Sequence, residues 1–230
     1  MIVTIDGTVG SGKSTAAAGL ARRLGAVHLD TGAMYRALTL KALETGVDLE
    51  DAAALEALAR SSTIRLQGEP GRTRVFLDGR DVTDAVRANR VSTHSHYLAR
   101  TPGVRQVLVE AQRAFAARAG DVVAEGRDQG TVVFPEADVK FFLDAAPEVR
   151  ARRRQKELEA RGQYHSYRSV LAQILERDRR DSTREVAPLR VPDDAIRVDT
   201  TNLDIEAMIE VLAQHVAQRV RRRTEAKEGA

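Results

Sequence analysis

Residues 7 to 15 read Gly7-Thr8-Val9-Gly10-Ser11-Gly12-Lys13-Ser14-Thr15, with two glycines five apart and then a lysine and hydroxyl residues. Ahead of them, Ile2-Val3-Thr4-Ile5-Asp6 is β-branched and apolar and predicts a strand. Behind them, Ala16 to Leu24 combines helix formers with apolar residues at helical spacing. Strand, glycine loop and helix together are the setting in which such a loop cradles phosphate. Glycine lets the backbone come closer than any Cβ would permit, so successive amide N–H groups converge on phosphate oxygens at the positive end of the helix. From an exposed loop, Lys13 is then expected to bridge the outer phosphates, and Ser14 to offer its hydroxyl to Mg²⁺. A glycine turn that only caps a helix needs neither the full pattern nor both flanks.

The rest of the chain is compatible with one α/β domain carrying insertions, since 230 residues with 43% hydrophobic content can bury a sizeable core. At 30% charged and 4% aromatic, the expected molecule has a charged surface over an aliphatic interior. The absence of cysteine excludes disulfides and thiolate metal sites and fits a reducing cytoplasm. The first strand begins at residue 2 with no basic leader, and no apolar run approaches the roughly 20 residues of a membrane span. A cytoplasmic location is therefore expected. The excess of 36 basic over 33 acidic residues is too small to argue for nucleic acid.

Val27 to Asp30 predicts a second strand that hands over at Thr31-Gly32-Ala33-Met34-Tyr35-Arg36 to a helix. A helix start with a hydroxyl, a phenol and an arginine suits anion capture, although an ordinary N-cap and a surface arginine leave the same trace. From Thr63 to Val86 the pattern alternates as strands do, with turns at Gly68-Glu69-Pro70-Gly71 and Asp78-Gly79. This predicts a small antiparallel insertion over about 63–90, either a lobe closing over a ligand or a surface hairpin. Val91 to Arg118 reads as helix broken near Thr101-Pro102-Gly103, with Arg105 and Arg113 on one face, a pairing that alone says little.

Asp121 to Glu125 predicts the third core strand, ending in Gly126-Arg127-Asp128-Gln129-Gly130-Thr131. Ligands of an open parallel sheet sit at the carboxyl ends of its strands, which places this charged turn in the cleft. Asp138 to Asp144 is almost continuously apolar, as a strand covered on both faces must be. Pro147 opens a helix with Arg150, Arg152, Arg153, Arg154 and Arg161 that ends at Gly162, and this segment, about 147–165, could cover bound phosphate. A further helix from Ser166 carries Arg177, Asp181 and Arg184 at spacings of four and three, which intrahelical ion pairing explains as well as ligand binding does. After a last strand, Ala195 to Asp199, the run Thr200-Thr201-Asn202-Leu203 is expected to cap a terminal helix ending near Arg221. The expected architecture is a P-loop parallel β-sheet core, about 1–62, 91–146 and 187–221, flanked by helices.

In this order, the phosphate loop, Asp30 to Arg36, the inserted sheet, Gly126 to Pro135, the arginine segment, Glu176 to Leu189 and Asp199 to Leu203 resemble the bacterial cytidylate kinases from end to end. The resemblance implies transfer of the ATP γ-phosphoryl to CMP or dCMP with Mg²⁺. It also makes the small sheet a monophosphate-binding lobe and the arginine segment a lid. It implies that Gly7 to Thr15, with Arg150 and Arg154 of the lid, bind ATP, and that Thr31, Tyr35, Arg36 and Arg127 hold the 5′-phosphate of the acceptor. Arg105, Asp128 and Arg184 are similar to the cytosine readers, with Ser95 or its neighbour His96 beside them, and Arg177 and Asp181 match the ribose holders. Cytosine presents an N4 amino donor beside N3 and O2 acceptors, which a carboxylate and arginines complement. Thr8 stands where the family often has proline, and Gln129 where a hydrophobic residue is usual.

The expected chemistry is direct in-line transfer, with Lys13, Arg127 and Arg177 as the catalytic charges and no general base, because a phosphate oxygen is already nucleophilic. A monomer that takes ATP, CMP and dCMP, and neither nucleic acid nor membrane, is expected. The nearest rival is a P-loop kinase for another nucleoside monophosphate or for dephospho-coenzyme A. A nucleotide-dependent switch or nucleic-acid module is weakened by the lack of an Asn-Lys-x-Asp element and by the scarcity of aromatic residues.

Overall fold

In the computed structural model, which describes residues 1–69, 72–160 and 162–228, sixteen strands and helices follow one another. They are β1 (Ile2–Gly7), α1 (Lys13–Leu24), β2 (Val27–Asp30), α2 (Thr31–Thr45), α3 (Ala52–Arg60), β3 (Ile64–Glu69), β4 (Arg72–Leu77), β5 (Arg80–Asp81), α4 (Asn89–Arg100), α5 (Pro102–Ala119), β6 (Val122–Glu125), β7 (Val139–Asp144), α6 (Pro147–Glu159), α7 (Tyr167–Thr183), β8 (Ile196–Asp199) and α8 (Ile205–Glu228). Pro70, Gly71 and Arg161, which figure in the sequence expectations, lie outside the described residues. No helix among the described residues is long and apolar enough to cross a membrane.

The main sheet has the order β2-β6-β1-β7-β8 with every pair parallel, and β3-β4-β5 form a separate antiparallel sheet. Val122 and Ala124 of β6 enter one apolar cluster with α2 to α5, while Val123 enters another with α1 and α8. Side chains alternate across a strand, so a strand covered by helices on both faces must be apolar at every position. The chain runs from β1 outward to β2, returns to β6, then crosses β1 to reach β7 and β8. A ligand crevice belongs at the carboxyl ends where that direction reverses.

Three departures from the sequence reading have physical causes. The antiparallel insertion does not stand apart, because Leu66, Val75, Leu77, Val82 and Val86 bury themselves in the cluster that also covers α2 to α5. The segment expected over about 147–165 packs together with the helix that follows it. Helices α6 and α7 form a hairpin with its own core of Ala151, Leu158, Val170 and Ile174, against which Val9 of the phosphate loop packs. The terminal helix is capped by Asp204, whose Oδ1 accepts from Ala207 N at 2.8 Å, and it runs past Arg221 to Glu228. Thr200 instead turns its buried hydroxyl to Ser11 O at 3.0 Å, so it braces the phosphate loop.

Candidate active site

Strands β1, β2, β6 and β7 bring to one edge of the sheet the phosphate loop, Asp30 with Thr31, Glu125 through Asp128, and Asp144. The loop starts hard against β7: Gly7 has φ +150°, and a Cβ there would lie 2.0 Å from Leu143 O. Around it, Thr8 Oγ1 donates to Asp144 Oδ1 at 2.7 Å and Val9 N–H to Asp178 Oδ1 at 3.3 Å. Lys13 is not exposed as anticipated. It is the first residue of α1, only 6% exposed, with Nζ donating to Thr8 O and more weakly to Ser11 Oγ. Burial first, and the charge of Arg127 second, push its pKa well below that of an ordinary lysine. An incoming phosphate would oppose both effects by stabilising the ammonium form.

Next to the lysine, Ser14 Oγ donates to Glu125 Oε2 at 2.7 Å, while Glu125 Oε1 lies 3.1 Å from His28 Nε2. A hydroxyl and a buried carboxylate side by side are hard oxygen donors, and they fit Mg²⁺, which usually takes one or two protein ligands and completes its shell with water and phosphate. Glu125 was not among the anticipated site residues. Its signal in the sequence is its place as the last strand residue before Gly126-Arg127-Asp128. Burial works against charge on His28, but the hydrogen bond and charge of Glu125 outweigh it and raise the imidazole pKa.

Across the crevice, Arg127 Nε donates to Asp181 Oδ2 at 2.9 Å, and Arg36 NH2 to Asp30 Oδ2 at 3.0 Å. Asp30 also caps α2 through Ala33 N at 2.8 Å, which relieves Thr31 of that task. Thr31 Oγ1 instead donates to Glu125 O at 2.6 Å. Among the described residues the Arg177 side chain donates no hydrogen bond, yet it lies within the field of Arg127, Asp181, Arg36 and Arg154. Burial, and then Arg127, push its pKa down to about 10. Arg127 and Arg177 lower the pKa of Lys13, and Arg127, Arg36 and Arg154 that of Arg177, a mutual repulsion that a polyanion would relieve.

Deeper on the same side, Arg105 NH2 pairs with Asp128 Oδ2, the two side chains 5% and 6% exposed, and Arg105 NH1 donates to Tyr35 OH at 3.2 Å. Burial pushes the Tyr35 phenol up to about 12, so it keeps a proton to donate. Arg184 Nε donates to Ala187 O at 2.6 Å, but its buried NH2 has no partner although Asp128, Arg105 and Tyr35 all lie in its field. An orphaned donor beside a buried ion pair costs free energy unless a ligand supplies an acceptor.

The cytidylate kinase family model matches residues 3–218. The chain belongs to the cytidylate kinase family. A cytidylate kinase of Pelotomaculum thermopropionicum is 47% identical over 216 residues, covering 94% of this chain and 95% of that one. The chain is similarly 49% identical to a cytidylate kinase of Exiguobacterium sibiricum, with 92% and 95% covered, and 46% identical to one of Carboxydothermus hydrogenoformans, with 95% and 98% covered.

Two of the expected site residues have polar partners within the chain. Arg150 is 3% exposed, and its guanidinium donates to Ala145 O at 2.8 Å, to Val9 O at 3.1 Å and to Asp178 Oδ2 at 2.5 Å. It ties the start of α6 to the phosphate loop and to α7. Arg154, paired with Glu157 at 2.8 Å, is the lid arginine whose charge reaches Arg177. Ser95 turns its hydroxyl to Ser92 O of its own helix at 3.0 Å, whereas His96 lines a cavity of about 210 Å³ with Arg180, Asp181 and Arg184. The unexpected polar neighbourhood of Gln129 is organised by Asp6, which is fully buried and accepts from Gln129 N at 2.9 Å and Gly130 N at 2.7 Å. Arg113, uninformative in the sequence, holds the same turn from the other side by donating to Val132 O and Val133 O.

Proposed function

We propose that this cytidylate kinase transfers the γ-phosphoryl of ATP to CMP or dCMP, giving ADP and CDP or dCDP, as a cytoplasmic monomer. The observation that carries the choice of acceptor is the buried Asp128–Arg105 pair with the unpartnered NH2 of Arg184 in its field. Asp128 Oδ1 is the oxygen left to accept from the cytosine N4 amino group, and the arginines donate to O2 and N3. Uracil reverses that edge, so its O4 faces a carboxylate and its N3–H faces a guanidinium.

In the transfer, the bond between the γ-phosphorus and the bridging oxygen of ADP breaks as a bond to a 5′-phosphate oxygen of the acceptor forms. The loop amides and Lys13 hold the donor phosphates, with Arg154 over them. Ser14 and Glu125 would hold Mg²⁺, which would supply positive charge to neutralise the transferring phosphates. Arg36, Arg127, Tyr35 and Thr31 hold the acceptor phosphate, Thr31 by turning its hydroxyl proton away from Glu125 O. Arg177 and Asp181 hold the ribose side, and Arg127 and Arg177 bear on the migrating oxygens. Positioning and charge neutralisation then lower the barrier without a general base.

An ADP-release assay with saturating Mg-ATP across CMP, dCMP, UMP, AMP and GMP tests this reading. CMP and dCMP are expected to exceed the others by about 10² or more in efficiency, because a site of buried polar groups rejects a mismatched edge. Comparable turnover of AMP or UMP would overturn it.

A further inference from the structure

His28 is a β2 residue that no phosphate-loop pattern calls for, yet it lies in a chain of polar contacts that joins α1 and β6 to β4 of the inserted sheet. Its side chain is 11% exposed and that of Glu125 5%. Nε2 lies 3.1 Å from Glu125 Oε1, and Ser14 Oγ occupies the other carboxylate oxygen at 2.7 Å. On the opposite edge of the ring, Nδ1 lies 3.3 Å from the hydroxyl of Thr73, a buried residue of β4 in the antiparallel insertion. Nε2 donates to the carboxylate, and the threonine hydroxyl, which also lies 3.3 Å from His28 O, holds the other edge of the ring and its backbone.

We infer that His28 is a positioning residue for the transfer site: it clamps Glu125 so that the carboxylate serves Ser14 and Mg²⁺, and it ties that clamp to the inserted sheet through Thr73. This rests on the reading of Ser14 and Glu125 as the cation-holding pair. Without the imidazole, Oε1 would be a buried carboxylate oxygen with no donor, and a buried charge seeks the nearest counter-charge. Both Lys13 and Arg127 already lie in the field of Glu125. The carboxylate would swing toward one of them, leaving the cation and neutralising a charge meant for phosphate. Partners one step removed from a metal commonly control its affinity in this way.

The test compares His28→Leu, which has no polar atom, with His28→Gln, which keeps an N–H donor, and uses Glu125→Gln as the control for the reading itself. Binding of a β,γ-methylene analogue of ATP is measured with and without Mg²⁺, alongside the Mg²⁺ concentration for half-maximal turnover and the KM for CMP. His28→Leu is expected to weaken the Mg²⁺-dependent part of analogue binding by about tenfold. Metal-free binding and the CMP KM should change by less than the Mg²⁺-dependent part, and His28→Gln should recover most of the loss. Thr73→Val should move the same quantity in the same direction by less, and it keeps the inference open to test if His28→Leu fails to fold. Unchanged Mg²⁺ dependence in His28→Leu, with a shift in Glu125→Gln, would overturn the role of His28 alone. If Glu125→Gln also leaves it unchanged, the cation-holding pair itself is misassigned.

Discussion

On the proposed reading, Gly7 to Thr15 supplies the donor half of the cleft from one unbroken run and largely from backbone, whereas the acceptor half gathers Arg36, Arg105, Arg127, Asp128, Arg177 and Arg184 from α2, α5, the turn after β6, and α7 with its exit. Backbone amides point where the loop geometry sends them, whichever side chains sit beside them. That tolerance lets Thr8 replace a proline and gain a hydrogen bond to Asp144. Arginines have no such guarantee. Several are held in advance by a carboxylate, Arg36 by Asp30, Arg105 by Asp128 and Arg127 by Asp181, so their orientation precedes the substrate. Donor-side substitutions should therefore damage chemistry and spare the fold, while acceptor-side substitutions should damage both.

The largest effect is expected for Lys13→Ala, with turnover falling by about 10³ as a charge aimed at the migrating phosphoryl is lost. Its melting temperature should hold or rise, since a buried cation without a carboxylate partner is removed. Thermal circular dichroism showing a large fall in stability would erase the contrast between the halves. Asp128→Asn is the acceptor-side counterpart. It should cut CMP efficiency by about 10² and narrow the CMP to UMP ratio, because an amide can donate to O4. It should also destabilise the protein by about 3 kcal/mol or more, because Arg105 is left buried and unpaired. A ratio that does not move, with both substrates depressed alike, would remove Asp128 from base reading.

Smaller still, Arg36→Ala should raise the CMP KM by about tenfold or more through one lost charge-assisted contact, and leave the ATP KM nearly alone. The reverse pattern in steady-state kinetics would assign Arg36 to the donor. The mildest expectation concerns Asp6, the penultimate residue of β1, which holds the turn at Gln129 and Gly130. Burial raises its pKa from 3.8 to about 6. A carboxyl raised in the folded state contributes stability that is complete below its unfolded pKa and is lost as pH rises through the folded value, here between roughly 4 and 6. Carbon NMR of the Asp6 carboxyl should show a midpoint near 6, and a midpoint below 4 would mean that the backbone N–H bonds outweigh burial.

Much of this could be read from local pattern. The strand before the phosphate loop, the uninterrupted apolar run of β7 and the Ser166 cap of α7 each depend on residues within a turn or two of one another. The acceptor residues could be named only because their order along the chain resembled a family. Spacing alone left Arg177, Asp181 and Arg184 equally open to intrahelical pairing, whereas in the structure Asp181 pairs with Arg127 from another element and Arg184 with a backbone carbonyl.

What the sequence by itself determined was the set of elements and the backbone cradle, because periodicity, glycine conformation and capping act over short distances. Only the tertiary structure decided which charges meet. Ser14 and Glu125 are 111 residues apart and become partners because β6 pairs in parallel with β1. Lys13 is buried at the start of α1, and Arg150 is tied to the loop because the α6–α7 hairpin packs on Val9 and Asp178 reaches the loop from α7. A side chain's charge is written in its residue type, but its exposure and its counter-ion belong to whatever the fold packs against it.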